Sequence, residues 1–261
     1  MPVRKRFGQH FLHDPAIIAR IVDCIAPRGG EALLEIGPGR GALTAPLLAA
    51  LGELDVVEID RDLAAALSAR FAAQPDFHVH VADALAFDYA TLARTRERRL
   101  RVVGNLPYNV STPLLFKLLD ASASIQDMHF MLQREVVDRI VAAPGSRQYG
   151  RLGVMLAPRT RATRLFDVGP GAFQPPPRVW SAVLRLEVMS EVPDWATEPH
   201  YSRIVAAAFS QRRKTLRNGL ASLLDATQIV AAGVDPGARA ETLEPAQFGR
   251  LARALAAGTR L

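Results

Sequence analysis

Residues 32 to 41 read A-L-L-E-I-G-P-G-R-G. Residues 32–36 form an apolar run of strand length that stops at glycines spaced two apart: Gly37, Gly39 and Gly41. Glycine lets a backbone turn tightly and approach a ligand with no Cβ in the way. Past the loop, Leu43, Leu47, Leu48 and Leu51 share one face of a helix. The alternation then repeats. Residues 54–59, 77–82, 100–104, 128–132 and 181–187 read as strands. Residues 62–72, 111–119 (with Ser111 as its cap) and 135–141 read as helices. Upstream, Asp14-Pro15 starts a helix that carries Ile17, Ile18, Ile21, Val22 and Ile25 at helical spacing. Strands alternating with helices predict a parallel sheet covered by helices, an α/β fold. Val192 to Pro199 reads as a linker, and residues 201–257 as short amphipathic helices broken near Gly233-Val234-Asp235-Pro236-Gly237. The expected division is residues 1–191 and 192–261.

The 261 residues carry one cysteine, Cys24, which excludes an intrachain disulfide and a cysteine-cluster zinc site. No apolar run approaches membrane-spanning length, and the basic N-terminus lacks a signal-peptide core. The expectation is a soluble cytoplasmic protein with no membrane partner. A net charge of +6 suits a polyanionic partner. The basic residues gather at Arg4-Lys5-Arg6, between Arg94 and Arg101, between Arg159 and Arg164, and at Arg212-Arg213-Lys214 with Arg217. Any one cluster is more often a solvated face than a site; four of them on a nucleotide-type fold point toward nucleic acid.

In such sheets ligands sit outside the carboxyl ends of the strands. The first strand ends in the glycine loop and the second in Glu58, a carboxylate placed to accept both ribose hydroxyl hydrogens. The third ends in Asp83, an acceptor for an adenine amine, and the fourth in Asn105. The spacing is Gly-x-Gly-x-Gly rather than the Gly-x-Gly-x-x-Gly that faces a dinucleotide pyrophosphate. S-adenosylmethionine, which has no phosphate, suits this set, and no metal is called for.

Residues 104 to 108 read G-N-L-P-Y. Asn and Pro after a strand often make nothing more than a turn. Beside a nucleotide site they offer more. The N6 amine of adenine is a poor nucleophile because its lone pair is delocalised into the ring. The Asn105 side-chain oxygen and the Leu106 carbonyl can accept its two hydrogens and favour a pyramidal nitrogen. Pro107 stiffens that carbonyl, and Tyr108 stacks on the base. Phe173, at the head of the rigid Phe173-Gln174-Pro175-Pro176-Pro177 segment, is expected over the other face. Such a base must be unpaired or flipped out to enter.

These stretches resemble the small-subunit ribosomal RNA adenine dimethyltransferase family associated with kasugamycin sensitivity. The matching segments are KRFGQHFL (5–12), LEIGPGRGALT (34–44), EIDRDL (58–63), GNLPYNVSTPLLFKLL (104–119), MLQREVVDRI (131–140), YGRLGV (149–154), FQPPPRVWSAV (173–183) and FSQRRKTLRNGL (209–220). The resemblance implies a class I S-adenosylmethionine-dependent methyltransferase domain, Rossmann-like, with a seven-stranded, mostly parallel sheet, and a small all-α C-terminal domain for rRNA recognition. It implies double methylation of N6 on two adjacent adenosines in the hairpin loop near the 3′ end of the small-subunit rRNA. The substrate would be a late pre-small-subunit particle and the enzyme a monomer. By family pattern His10, Leu12, Gly37, Gly39, Glu58, Asp83 and Asn105 contact the cofactor or its surroundings; His10 stands where many members have Asn. Two alternatives share these motifs: a large-subunit rRNA methylase of the macrolide-resistance type, and an rRNA-binding assembly factor whose catalysis is dispensable. FSQRRKTLRN and FQPPPRV argue against the first.

Overall fold

The computed structural model describes residues 10–107, 110–211 and 213–258. Tyr108, Arg212 and the Arg4-Lys5-Arg6 run lie outside the described residues. In chain order the elements are β1 (Phe11–Leu12), α1 (Pro15–Ile25), β2 (Ala32–Ile36), α2 (Thr44–Leu51), β3 (Leu54–Glu58), α3 (Arg61–Arg70), β4 (Phe77–Val81), α4 (Tyr89–Thr95), β5 (Leu100–Asn105) and α5 (Ser111–Asp120). There follow β6 (Ile125–Gln133), α6 (Arg134–Ile140), α7 (Arg151–Leu156), β7 (Thr160–Val168), β8 (Phe173–Gln174), β9 (Ser181–Val188), α8 (Tyr201–Ser210), α9 (Leu216–Gly219), α10 (Ala226–Ala231) and α11 (Pro245–Gly258).

Local chemistry sets many of these limits. Asp14 caps α1 by accepting from the backbone N–H of Ala16 (2.9 Å) and Ile17 (3.3 Å), with Pro15 in the first turn. Ser111 is not the cap of α5: Val110 holds that place and Ser111 is buried in the first turn. Strands β2 and β3 are buried at every position, as strands covered on both faces must be.

Seven strands form one sheet in the order β4-β3-β2-β5-β6-β9-β7. The pairs β3–β4, β2–β3, β2–β5 and β5–β6 are parallel, and β9 runs antiparallel to β6. The fold class read from the resemblance holds. Within this sheet the strand that residue patterning missed is β7; the short β1 and β8, which pair apart from it, were missed as well. The inward positions of β7 are Thr160, Phe166 and Val168, while Arg161, Thr163 and Arg164 are exposed. At the edge of a sheet a strand needs few apolar side chains, so this one read as a basic cluster.

The chain divides into two compact units, residues 1–137 with 163–188, and residues 138–162 with 189–261. These units differ from the expected division at 191/192: residues 138–162 and 189–191 fall with the helical unit. The reason is packing. Tyr149 and Val154 are buried in the second core with Tyr201, Ile204, Phe248 and Leu251. The Tyr149 hydroxyl donates to the Leu243 carbonyl (2.8 Å), and the Tyr201 hydroxyl to the Val154 carbonyl (3.0 Å).

Candidate active site

Because β4, β3, β2 and β5 run parallel, their carboxyl ends meet on one edge of the sheet. The chain lays β3 and β4 on one side of β2 and β5 and β6 on the other, so a crevice opens between β2 and β5. A cavity of about 350 Å³ lies there. The predicted residues His10, Leu12, Gly37, Gly39, Glu58, Asp83, Asn105, Leu106 and Pro107 all line it.

The glycine loop keeps φ positive at Gly37 (+66°), Gly39 (+57°) and Gly41 (+78°). Around the Cβ position of Gly37 nothing lies within 4 Å, so the loop backbone faces open space there. At Gly39 a Cβ would stand 3.1 Å from the Phe11 ring, and that ring also carries the Arg40 guanidinium 4.4 Å from its centroid. A further glycine requirement escaped the sequence reading. A Cβ at Gly104 would come within 2.4 Å of the Ile36 carbonyl oxygen, so only glycine lets β5 pass β2 at the crevice.

Glu58 is buried and holds the loop: its carboxylate accepts from the Gly39 N–H (3.2 Å) and the Asp60 N–H (2.9 Å). Burial pushes its pKa up despite those two bonds. Asp83 is exposed at the cavity rim, where one oxygen accepts from the Leu85 N–H (2.9 Å). Each carboxylate keeps lone pairs for a ligand. Glu35 also lines the cavity, a role its place inside a strand concealed. Its carboxyl is buried and accepts from the Thr44 hydroxyl (2.6 Å). Burial pushes it up to about 7; the Thr44 bond opposes the rise and the Glu58 charge adds to it. The exposed apolar side chains of Ile59 and Leu85 border the same space.

Asn105 is oriented from far away in sequence. Its Nδ2 donates to the His10 carbonyl (3.0 Å), which leaves Oδ1 as the acceptor that the amide presents. The His10 ring is held in turn: Nδ1 lies 2.8 Å from the Pro175 carbonyl, and since a carbonyl only accepts, Nδ1 carries the proton. The short antiparallel pairing of β1 with β8 (Phe11↔Gln174, Leu12↔Phe173) brings these segments together. The backbone around Leu106 and Pro107 is pinned as well. The Leu106 N–H donates to the Met131 carbonyl, and the Pro107 carbonyl accepts from the Val110 N–H, both at 3.2 Å.

Phe173 departs from expectation. It is 2% exposed and does not line the cavity; it packs in the core with Leu12, Met131, Val168, Ala172 and Val183. Strand alternation in β8 turns Phe173 inward and Gln174 outward. Tyr108 lies outside the described residues. Of the basic quartet, Arg213, Lys214 and Arg217 are exposed on the helical unit, and Arg212 lies outside the described residues.

A seven-stranded sheet with this order, a glycine loop after the central strand and carboxylates on the next two strand ends defines a class I S-adenosylmethionine-dependent methyltransferase. Residues 2–257 match the family model for ribosomal RNA adenine dimethylases, and the chain belongs to that family. It is 54% identical over 254 residues to the ribosomal RNA small subunit methyltransferase A of Pseudomonas aeruginosa, covering 97% of this chain and 94% of that one. To the protein of the same name from Methylococcus capsulatus it is 55% identical over 252 residues, covering 97% of each. Among solved structures, a dimethyladenosine transferase from Plasmodium falciparum superposes with a TM-score of 0.79 at 22% identity, over 93% of this chain and 96% of that one. The 23S rRNA methyltransferase ErmE superposes with a TM-score of 0.71 at 27% identity, over 94% of this chain and 99% of that one.

Proposed function

We propose that this enzyme uses S-adenosylmethionine to methylate N6 of two adjacent adenosines, each twice, in the 3′-terminal hairpin loop of small-subunit rRNA during late ribosome assembly. The choice of subunit rests on the relatives. Identity is 54–55% to the small-subunit methyltransferases and 27% to the 23S rRNA enzyme. The observation that carries the chemistry is the fixed amide of Asn105 at the cavity's edge.

The cavity suits the cofactor. Among the described residues, three acidic side chains (Glu35, Glu58 and Asp83) line it, against one guanidinium, that of Arg40. That balance favours a cationic ligand rich in hydroxyls and amines over a polyphosphate. Glu58 would hold the ribose and Asp83 the adenine amine, between the apolar side chains of Ile59 and Leu85; the Gly37 backbone would face the amino-acid end. When bound, S-adenosylmethionine supplies a methyl group already activated on a sulfonium. The chain's own task is alignment, which by itself accounts for much of a bimolecular barrier. Asn105 Oδ1 and the Leu106 carbonyl accept from the target amine and hold its nitrogen pyramidal. No ionised base is required, because the proton can leave to water after transfer.

The test is to incubate the protein with labelled S-adenosylmethionine and immature small subunits and map the modified bases. Label is expected on two adjacent loop adenosines. Asn105→Ala should lower methyl transfer by about a hundredfold or more, the scale seen when one positioned polar group is lost, while particle binding persists. Label in large-subunit RNA, or equal loss of transfer and binding, would overturn the reading. Retained binding without transfer would also leave room for a separate assembly role.

A further inference from the structure

One aromatic on the same edge of the sheet has no part in the chemistry above. Trp180 is 50% exposed, and Val179 beside it 44%. Indoles of that size normally go to a core or an interface. The ring is nevertheless held in place. The Arg134 N–H donates to the Trp180 carbonyl (2.9 Å), and the Arg134 guanidinium stands 6.0 Å from the ring centroid. The benzo edge lies against Gly169, 3.7 Å from where that residue's Cβ would be. Arg134 and Arg178 are both exposed; Glu135, also exposed, is the acidic neighbour in sequence.

The strand register locates this ring. β9 runs antiparallel to β6 with Ser181 opposite Gln133, so β9 begins where β6 ends. Asn105 lies opposite Met131 on β6. Met131 in turn lies opposite Val183, so Trp180 is two strands to the side of Asn105 and three residues further along, about 10 Å each way and about 14 Å in all at the usual strand spacing and rise. That is too far for the target base, and it is a distance that a single strand covers within two or three nucleotides. The Arg134 guanidinium beside the ring and the exposed Arg178, two residues away in sequence, suit the phosphates of such a strand.

We propose that Trp180, with Arg134 beside its ring, is a stacking platform for an unpaired base within two or three nucleotides of the methylated adenosines. The inference rests on the rRNA substrate proposed above. A base fits better than a protein side chain because the charge beside the ring is cationic and the surface continues the edge that carries Asn105.

Two measurements test it. The chain has two tryptophans, so in a Trp195→Phe background the emission reports Trp180 alone. Titration with a protein-free RNA hairpin carrying the loop adenosines should quench that emission. With immature small subunits, Trp180→Ala should raise KM for the RNA about 5- to 150-fold, the worth of one stacked base. Trp180→Phe should recover most of it, and the Kd for S-adenosylmethionine should not move. Emission that stays constant while anisotropy shows the hairpin bound overturns the platform and leaves the ring to a protein partner; so does an unchanged KM. If the wild-type protein methylates no small-subunit RNA, the functional reading fails separately, and quenching by the hairpin still decides the platform.

Discussion

At the scale of single residues, the cavity is shaped by two side chains and one missing side chain. Asn105 and Glu58 stand at strand ends, where the sequence pattern placed them, and both line the cavity. Gly104 is the missing one. Its role was not legible, since a glycine inside a strand has several meanings and only the Ile36 carbonyl, 2.4 Å from its would-be Cβ, selects among them. Gly104→Ala should force β2 and β5 apart at the crevice and cost about 1–3 kcal/mol, the usual price of overpacking. Chemical denaturation should show that loss, and calorimetry should show weaker binding of S-adenosylmethionine. A variant as stable as the parent would mean that the strands are not this tightly apposed. Glu35 was equally hidden, since a strand-borne acid looks like any other until its burial and the Thr44 bond are seen.

At the scale of elements, two arginines read as part of a cluster facing a polyanion prove to be internal fasteners. Arg96 binds Asp55 and Glu53, and buried Arg101 reaches Asp127 (3.0 and 3.2 Å), Glu31 (2.7 Å) and the Ile25 carbonyl (2.6 Å). Arg101 and Asp127 are register partners on β5 and β6, so their bond ties together the two strands behind the Asn105 edge. Removing one partner of a buried ion pair typically costs about 3–5 kcal/mol because the other charge is stranded. Asp127→Ala should fall near the lower end, about 3 kcal/mol, since Glu31 and the Ile25 carbonyl remain. Urea unfolding measures this; a loss below about 1 kcal/mol, the range of an exposed pair, would show that Arg101 finds water instead. The positions of α1, α2 and the central strands were legible from apolar spacing and from the Asp14 cap. The edge strand β7 was not, because its solvent-facing arginines mask the alternation.

At the scale of the whole molecule, a net charge of +6 and the exposed Arg213, Lys214 and Arg217 predict electrostatic binding to RNA. Each phosphate contact adds close to one to the slope of log affinity against log salt. Arg213→Ala with Arg217→Ala should flatten that slope by up to about 2 for immature small subunits; an unchanged slope puts the RNA surface elsewhere. By itself the amino-acid sequence determined the parallel sheet, the glycine loop, the acids at successive strand ends and the Asn-Leu-Pro segment. Each of these is written in local hydrophobic period or in a short motif. Tertiary structure alone decided that Phe173 turns into the core and that residues 138–162 join the helical unit. It also decided that the Asn105 amide is aimed by a carbonyl 95 residues away. Those outcomes depend on which distant segments pair, β1 with β8 above all, and a local pattern specifies that a segment will pair without specifying its partner.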